Sequence, residues 1–157
     1  MYKVKGLKKL SDYANALDIT CLNKDCDITS IKFDSRDSKS NDIFIPLKGQ
    51  KFNGEDFTES ALENGAAVIT EKNLNGLTLK VTDVYECLLK LAKRNLENVR
   101  PQIIFITGSY GKTTIKDMLK HHLGNQCHCS KENENNEFGI PFTILSMPTD
   151  TKFLVVE

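Results

Sequence analysis

Apolar positions along this 157-residue chain fall into two kinds of run, one with helical spacing and one short and nearly continuous. Leu7, Leu10, Tyr13, Ala14 and Leu17 recur every three or four residues, which predicts a short helix near the start. Residues 28–33 and 43–47 are compact runs that predict strands. Pro46 has no N–H, so it belongs at the end or edge of the second. Phe57, Ala61 and Leu62 predict a helix stopped by Asn64-Gly65. Two further strands follow at 66–70 and 77–81, split by a turn at 73–76. Val84, Leu88, Leu91, Ala92 and Asn95 then share one face of a helix that Asp83 is placed to cap, that runs to about Asn98, and that Pro101 closes. Beyond it come a strand over 102–107 and a glycine-containing loop. A helix with Ile115, Met118, Leu119 and Leu123 on one face then ends at Gly124-Asn125. A polar loop over 131–137, a helix from Pro141 to Met147 and a strand over 152–156 complete the pattern.

These elements predict an α/β protein of two parts. Residues 1–83 form a small mixed α/β domain, 84–100 a connecting helix, and 101–157 the first part of a parallel α/β domain built around a phosphate-binding loop. Two parallel strands are too few for a stable sheet of that kind, which needs both faces covered. The second part is therefore expected to be incomplete, or to be completed by strands from elsewhere.

Composition narrows the function classes. Lys plus Arg and Asp plus Glu are both 21, so the formal net charge is zero, which disfavours nucleic acid or an anionic membrane as the main partner. No apolar run is long enough to cross a bilayer, and the charged start of the chain has no apolar stretch behind it. A cytoplasmic protein without membrane insertion is the expectation. The five cysteines, Cys21, Cys26, Cys87, Cys127 and Cys129, are an odd number and read as reduced thiols. A metal site from Cys127, His128 and Cys129, with His121, is the sharper alternative, but C-x-C is not a usual zinc spacing.

The strongest chemical signal is the loop Thr107, Gly108, Ser109, Tyr110, Gly111, Lys112, Thr113 and Thr114. Phosphate oxygens need several donors converging from one side, and a tight loop at a helix N-terminus supplies backbone N–H groups and the positive end of the dipole. Lys112 adds charge for the β- and γ-phosphates of ATP, and Thr113 offers a hydroxyl to Mg²⁺. The general phosphate-loop pattern wants a glycine where Ile106 stands, so this is the shorter form T-G-x-x-G-K-T-T. Its setting is the one the mechanism requires, after an apolar strand and before an amphipathic helix. Glu157 closes the last strand, and ligands in open α/β sheets bind at the carboxyl ends of strands, so Glu157 is a candidate Mg²⁺ ligand or an exposed terminal residue. Asn133, Asn135, Asn136 and Glu137 can hold sugar hydroxyls or phosphates, or simply make a turn.

Three segments together resemble the Mur ligases. Asp34-Ser-Arg36, Asp42-Ile-Phe-Ile-Pro-Leu-Lys-Gly49, Phe52-Asn-Gly-Glu-Asp-Phe57 and Gly65-Ala-Ala-Val68 look like the family's UDP-sugar-binding N-terminal domain. Ile106 to Thr114 is similar to its ATP loop, with Tyr110 in place of a common Asn. Asn133-Glu-Asn-Asn-Glu-Phe-Gly-Ile-Pro141 is similar to an N-x-N-N-x-x-G-x-P pattern in the branch that joins D-alanyl-D-alanine to UDP-N-acetylmuramoyl-tripeptide. The branch adding the third amino acid usually carries Thr-Thr-Pro there.

The resemblance implies a monomeric, ATP- and Mg²⁺-dependent amide ligase of peptidoglycan synthesis, working through an acyl phosphate. Lys112 would be catalytic, and Ser35, Arg36, Lys48, Gly49, Asn53, Asn135 and Asn136 would contact the UDP-sugar substrate. Family members have three domains, so it also implies that the chain is an incomplete part of the enzyme, inactive alone. The ligase adding the third amino acid, a non-catalytic UDP-sugar-binding fragment and an ordinary phosphate-loop hydrolase are the competing readings. Asp34 and Arg36 also have a plain reading, as a structural turn with a surface ion pair, typically worth about 0–1 kcal/mol.

Overall fold

A computed structural model describes residues 1–21, 23–49, 52–130 and 137–157. The chain divides into two compact units, Met1–Leu91 and Ala92–Glu157. The division falls inside one long helix.

In the first unit the short apolar runs become strands: β1 (Ser30–Lys32), β2 (Asp42–Phe44), β3 (Ala67–Thr70) and β4 (Thr78–Lys80). They pair in that order and every pair is parallel, with Ile31 beside Ile43, Ile43 beside Ala67 and Ile69 beside Leu79. β2 and β3 are buried at every position, as strands covered on both faces must be, which is why their sequence is continuous rather than alternating. The turn predicted at 73–76 does not make a hairpin, because β4 runs parallel to β3. Strands of three or four residues are only about 10–13 Å long, so the short connection over 71–77 can carry the chain back to the starting end.

Helix α1 (Leu10–Ala16) buries Leu10, Tyr13 and Ala14. The Asp12 carboxylate accepts from the N–H groups of Lys8 (2.8 Å) and Lys9 (2.9 Å), satisfying donors at the helix start. Helix α2 (Thr58–Glu63) follows a tight turn over Gly54–Phe57 and sets Ala61 against Phe44 and Val68. Helix α3 (Val84–Val99) buries Val84, Cys87, Leu88, Leu91, Ala92 and Asn95, the face its spacing predicts. It ends where Arg100 turns left-handed (φ 57°) before Pro101.

The second unit holds β5 (Gln102–Phe105), α4 (Lys112–Leu123), β6 (Cys127–Cys129), α5 (Gly139–Ser146) and β7 (Phe153–Val156). The sheet has three parallel strands in the order β5-β7-β6, so β7 is central although it comes last. The expectation of two strands is thus corrected. The third is Cys-His-Cys, three residues with no β-branched side chain and no apolar run to announce them.

The apolar face expected of α4 is present but largely uncovered. Ile115 and Met118 are 48% and 57% exposed, and the buried residue is Lys116, at 2%. Side chains from α3 and β6 fasten helix α5. The buried Asn95 donates its amide to the Ile144 carbonyl at 2.8 Å, and His128 Nε2 lies 3.0 Å from the Thr143 carbonyl and 3.1 Å from Ser146 Oγ. No helix among the described residues is long and apolar enough to cross a membrane.

Candidate functional site

The predicted phosphate loop lies between the carboxyl end of β5 and the start of α4. The Ile106 N–H donates to the Val156 carbonyl at 2.9 Å, extending the sheet one step beyond β5 and fixing the entry to the loop. Gly111 forms the N-cap of α4 with φ 78°, a left-handed conformation that a β-carbon disfavours. A β-carbon there would meet nothing within 4 Å, so conformation rather than space calls for glycine. α4 has no side-chain cap, and its first turn carries no acidic residue. Its free N–H groups and the Lys112 charge therefore make this end electropositive. Lys112 Nζ donates to the Gly108 carbonyl at 2.8 Å, and Tyr110 is 94% exposed.

The loop converges on Glu157. Thr113 Oγ1 lies 3.5 Å from Glu157 Oε2, and the Glu157 N–H lies 3.5 Å from Ser130 Oγ, at the end of the neighbouring strand. Thr113 and Glu157, the predicted metal pair, are therefore adjacent. Two hard oxygen donors at one end of a parallel sheet suit Mg²⁺, which takes few protein ligands and keeps several waters. The sequence reading missed their companion. Lys116 Nζ lies 3.1 Å from Glu157 Oε1, with both side chains almost wholly buried, at 3% and 4% exposure. The ammonium is not aligned for a hydrogen bond to that oxygen and has no other acceptor among the described residues. Helical spacing was the available signal, since Thr113 and Lys116 are three apart and share a face.

The first unit has its own hollow, of about 380 Å³, lined by Phe33, Asp34, Ser35, Arg36, Phe44, Phe52, Gly54 and Phe57. Asp34 caps the turn Ser35–Asp37, accepting from the Arg36 N–H at 3.0 Å and from Arg36 Nε at 2.9 Å. This pairing pulls the Asp34 carboxyl down to about 2. Arg36 is thus engaged by its own turn, as the plain reading held, while still forming one wall of the hollow.

Lys48, Gly49 and Asn53 belong to the loop that brings Phe52 and Gly54 to the hollow. Lys48 and Asn53 face each other across a bridge, the Gly49 N–H donates to the Phe52 carbonyl at 2.9 Å, and the Asn53 side chain accepts from the Glu55 N–H at 3.2 Å. A β-carbon on Gly54 would come within 2.7 Å of the Pro46-Leu47 backbone, so only glycine allows this closeness. Buried Glu55, which the sequence reading did not single out, anchors the loop. Its carboxylate accepts from Thr70 Oγ1 at 2.7 Å and from the Glu71 N–H at 2.9 Å. Asn135 and Asn136 lie outside the described residues.

Cys127, His128 and Cys129 do not converge as a metal site would. The two sulfurs lie 3.5 Å apart on one face of β6, while the His128 ring turns to α5. Burial and the neighbouring Cys127 thiol push Cys129 up to about 12. Among the described residues no group of three metal-ligating side chains comes together.

The model of the Mur ligase family, catalytic domain, matches residues 27–106, and that of the Mur ligase middle domain matches 106–157. The chain belongs to the Mur ligase family. A Bacillus subtilis relative, a UDP-N-acetylmuramoyl-tripeptide--D-alanyl-D-alanine ligase, is 39% identical over 83% of this Mur ligase chain and 30% of its own length. The fold superposes on MurF from Acinetobacter baumannii with TM-score 0.78 at 30% identity, covering 92% of this chain and 34% of that one. MurF from Thermotoga maritima in complex with ADP gives 0.74 at 35% identity, over 82% and 31%. The chain thus spans about a third of the length of the relatives it matches.

Proposed function

We propose that this Mur ligase chain belongs to an ATP-dependent enzyme that joins D-alanyl-D-alanine to UDP-N-acetylmuramoyl-tripeptide in peptidoglycan synthesis, acting as a monomer in the cytoplasm. Residues 1–83 would hold the sugar nucleotide, 84–100 would link, and 101–157 would begin the ATP-binding domain. The observation that supports the reading most is the meeting of the phosphate loop, Thr113 and Glu157 at one end of the β5-β7-β6 sheet. The kinship with D-alanyl-D-alanine ligases points the same way.

The chemistry follows from what a carboxylate lacks. It is a poor electrophile with no leaving group. The tripeptide carboxylate takes the γ-phosphoryl group of ATP, releasing ADP, and the D-alanyl-D-alanine amine then attacks the acyl carbon and expels phosphate. Charge gathers on the phosphoryl oxygens during transfer, and the loop N–H groups with Lys112 would stabilise it. Mg²⁺, which Thr113 and Glu157 would hold, supplies further charge neutralisation when bound. In the first unit, the phenyl rings of the hollow suit a planar base, and Ser35, Arg36, Lys48, Gly49 and Asn53 would meet the polar parts of the sugar nucleotide, together with Asn135 and Asn136.

Calorimetric titration of the folded chain with Mg-ATP, and separately with UDP-N-acetylmuramoyl-tripeptide, tests the two halves independently. Binding of the sugar nucleotide, with or without weak ATP binding, supports the reading; a folded chain that binds neither overturns it.

A further inference from the structure

A lysine with almost no exposed surface, set against a candidate metal ligand, needs a reason. Burying an ammonium costs several kcal/mol before any partner is counted. Lys116 meets only one oxygen of Glu157, without good hydrogen-bond alignment, and leaves the other oxygen facing Thr113. A purely stabilising pair is better served by apolar side chains of similar volume. The arrangement instead resembles a cation site in which one positive charge already occupies half of the carboxylate.

We propose that Lys116 is a positioning residue that acts as a resident counter-cation. It neutralises Glu157, weakens the site's hold on a free divalent cation, and leaves Oε2 alone to meet the cation that arrives with a nucleotide. The inference rests on the reading of Thr113 and Glu157 as metal ligands. The electrostatics are direct. A full positive charge in contact with the carboxylate repels an incoming dication, and at this burial water screens the repulsion little. With nucleotide present, the phosphate charges offset that repulsion. Lys116 also bars Oε1 from the metal, which makes the carboxylate a one-oxygen ligand.

The test uses Mn²⁺ as the probe, with binding followed by the paramagnetic resonance of the free ion, on the full chain with and without ADP. Lys116→Met keeps the length of the side chain and removes the charge. It is expected to bind Mn²⁺ alone about tenfold more tightly than wild type, a conservative share of the lost repulsion. Lys116→Arg should stay near wild type. The double variant Lys116→Met/Glu157→Gln, which removes both charges and so leaves no unpaired ion, should lose the gain. A folded Lys116→Met that binds Mn²⁺ no more tightly than wild type overturns the proposal. If that variant does not fold, Lys116→Gln carries the same comparison. The underlying site reading has a separate check. If Mn²⁺ binding in the presence of ADP is the same in wild type and in the double variant, Glu157 is not a metal ligand and both readings fall.

Discussion

The two units bury their sheets very differently. In the first, β2 and β3 are buried at every position, and Phe44 is 1% exposed. In the second, only the central strand is buried. Edge strand β5 leaves Ile103 and Phe105 44% and 72% exposed, and α4 leaves Ile115 and Met118 open as well. The first unit therefore draws its stability from a closed core, whereas the second carries apolar side chains that the described residues do not cover. An amphipathic pattern shows which face is apolar, not what covers it.

Truncations should expose this contrast most sharply. Phe44→Ala is expected to cost about 3–5 kcal/mol, the usual range for emptying a buried aromatic position. Phe105→Ala should stay within about 0.5 kcal/mol. Urea unfolding midpoints measure both, and equal losses would mean that the open face is covered in solution. Lys112→Ala separates binding from stability. It should weaken Mg-ATP binding by about tenfold to a hundredfold, the ~1.5–3 kcal/mol of a hydrogen bond to a charged group, while leaving the melting temperature in place. Calorimetry alongside a thermal melt distinguishes this from a general loss of structure.

Glu55→Leu strips partners from the Thr70 hydroxyl and the Glu71 N–H, and should cost about 1–3 kcal/mol. It should also loosen the loop that carries Phe52, readable as faster amide exchange there. The smallest effect is at Asp34. Hydrogen bonds from the Arg36 side chain and N–H hold its folded carboxyl down to about 2, below the ordinary carboxylate range, so its contribution is present above the unfolded value and fades as pH falls through the folded one. Carboxyl NMR titration should find a midpoint near 2, rising toward the ordinary value in Arg36→Met. An unshifted midpoint in wild type would show that the Asp34–Arg36 pair does not persist in solution.

Much of the architecture was legible because it obeys simple periods. The buried face of α3, the strands flanking the phosphate loop and the glycine before α4 each follow from spacing or dihedral demand. What was hidden depended on three-dimensional neighbours. Cys127–Cys129 carries no strand signature, and its cysteines and histidine suggested metal chemistry; pairing with β7 makes it a strand. Lys116 looks like any solvated helix residue until Glu157 comes beside it from forty-one positions away. Asp34 and Arg36 were legible as a turn, but the hollow they help to line needs Phe33, Phe44 and the 52–57 loop to fold against them.

The place of β7 has a bearing on how the chain is made. During synthesis β5 leaves the ribosome first and β6 next, yet they are not neighbours in the sheet. Each waits for β7, so neither has its native partner until almost all of these residues have emerged. Non-local parallel pairing of this kind is slow and leaves strand edges open meanwhile. Glu157 directly follows β7, so the strand that joins β5 to β6 also brings the carboxylate that meets the phosphate loop. Pairing these three strands and bringing Glu157 to the loop are thus one event.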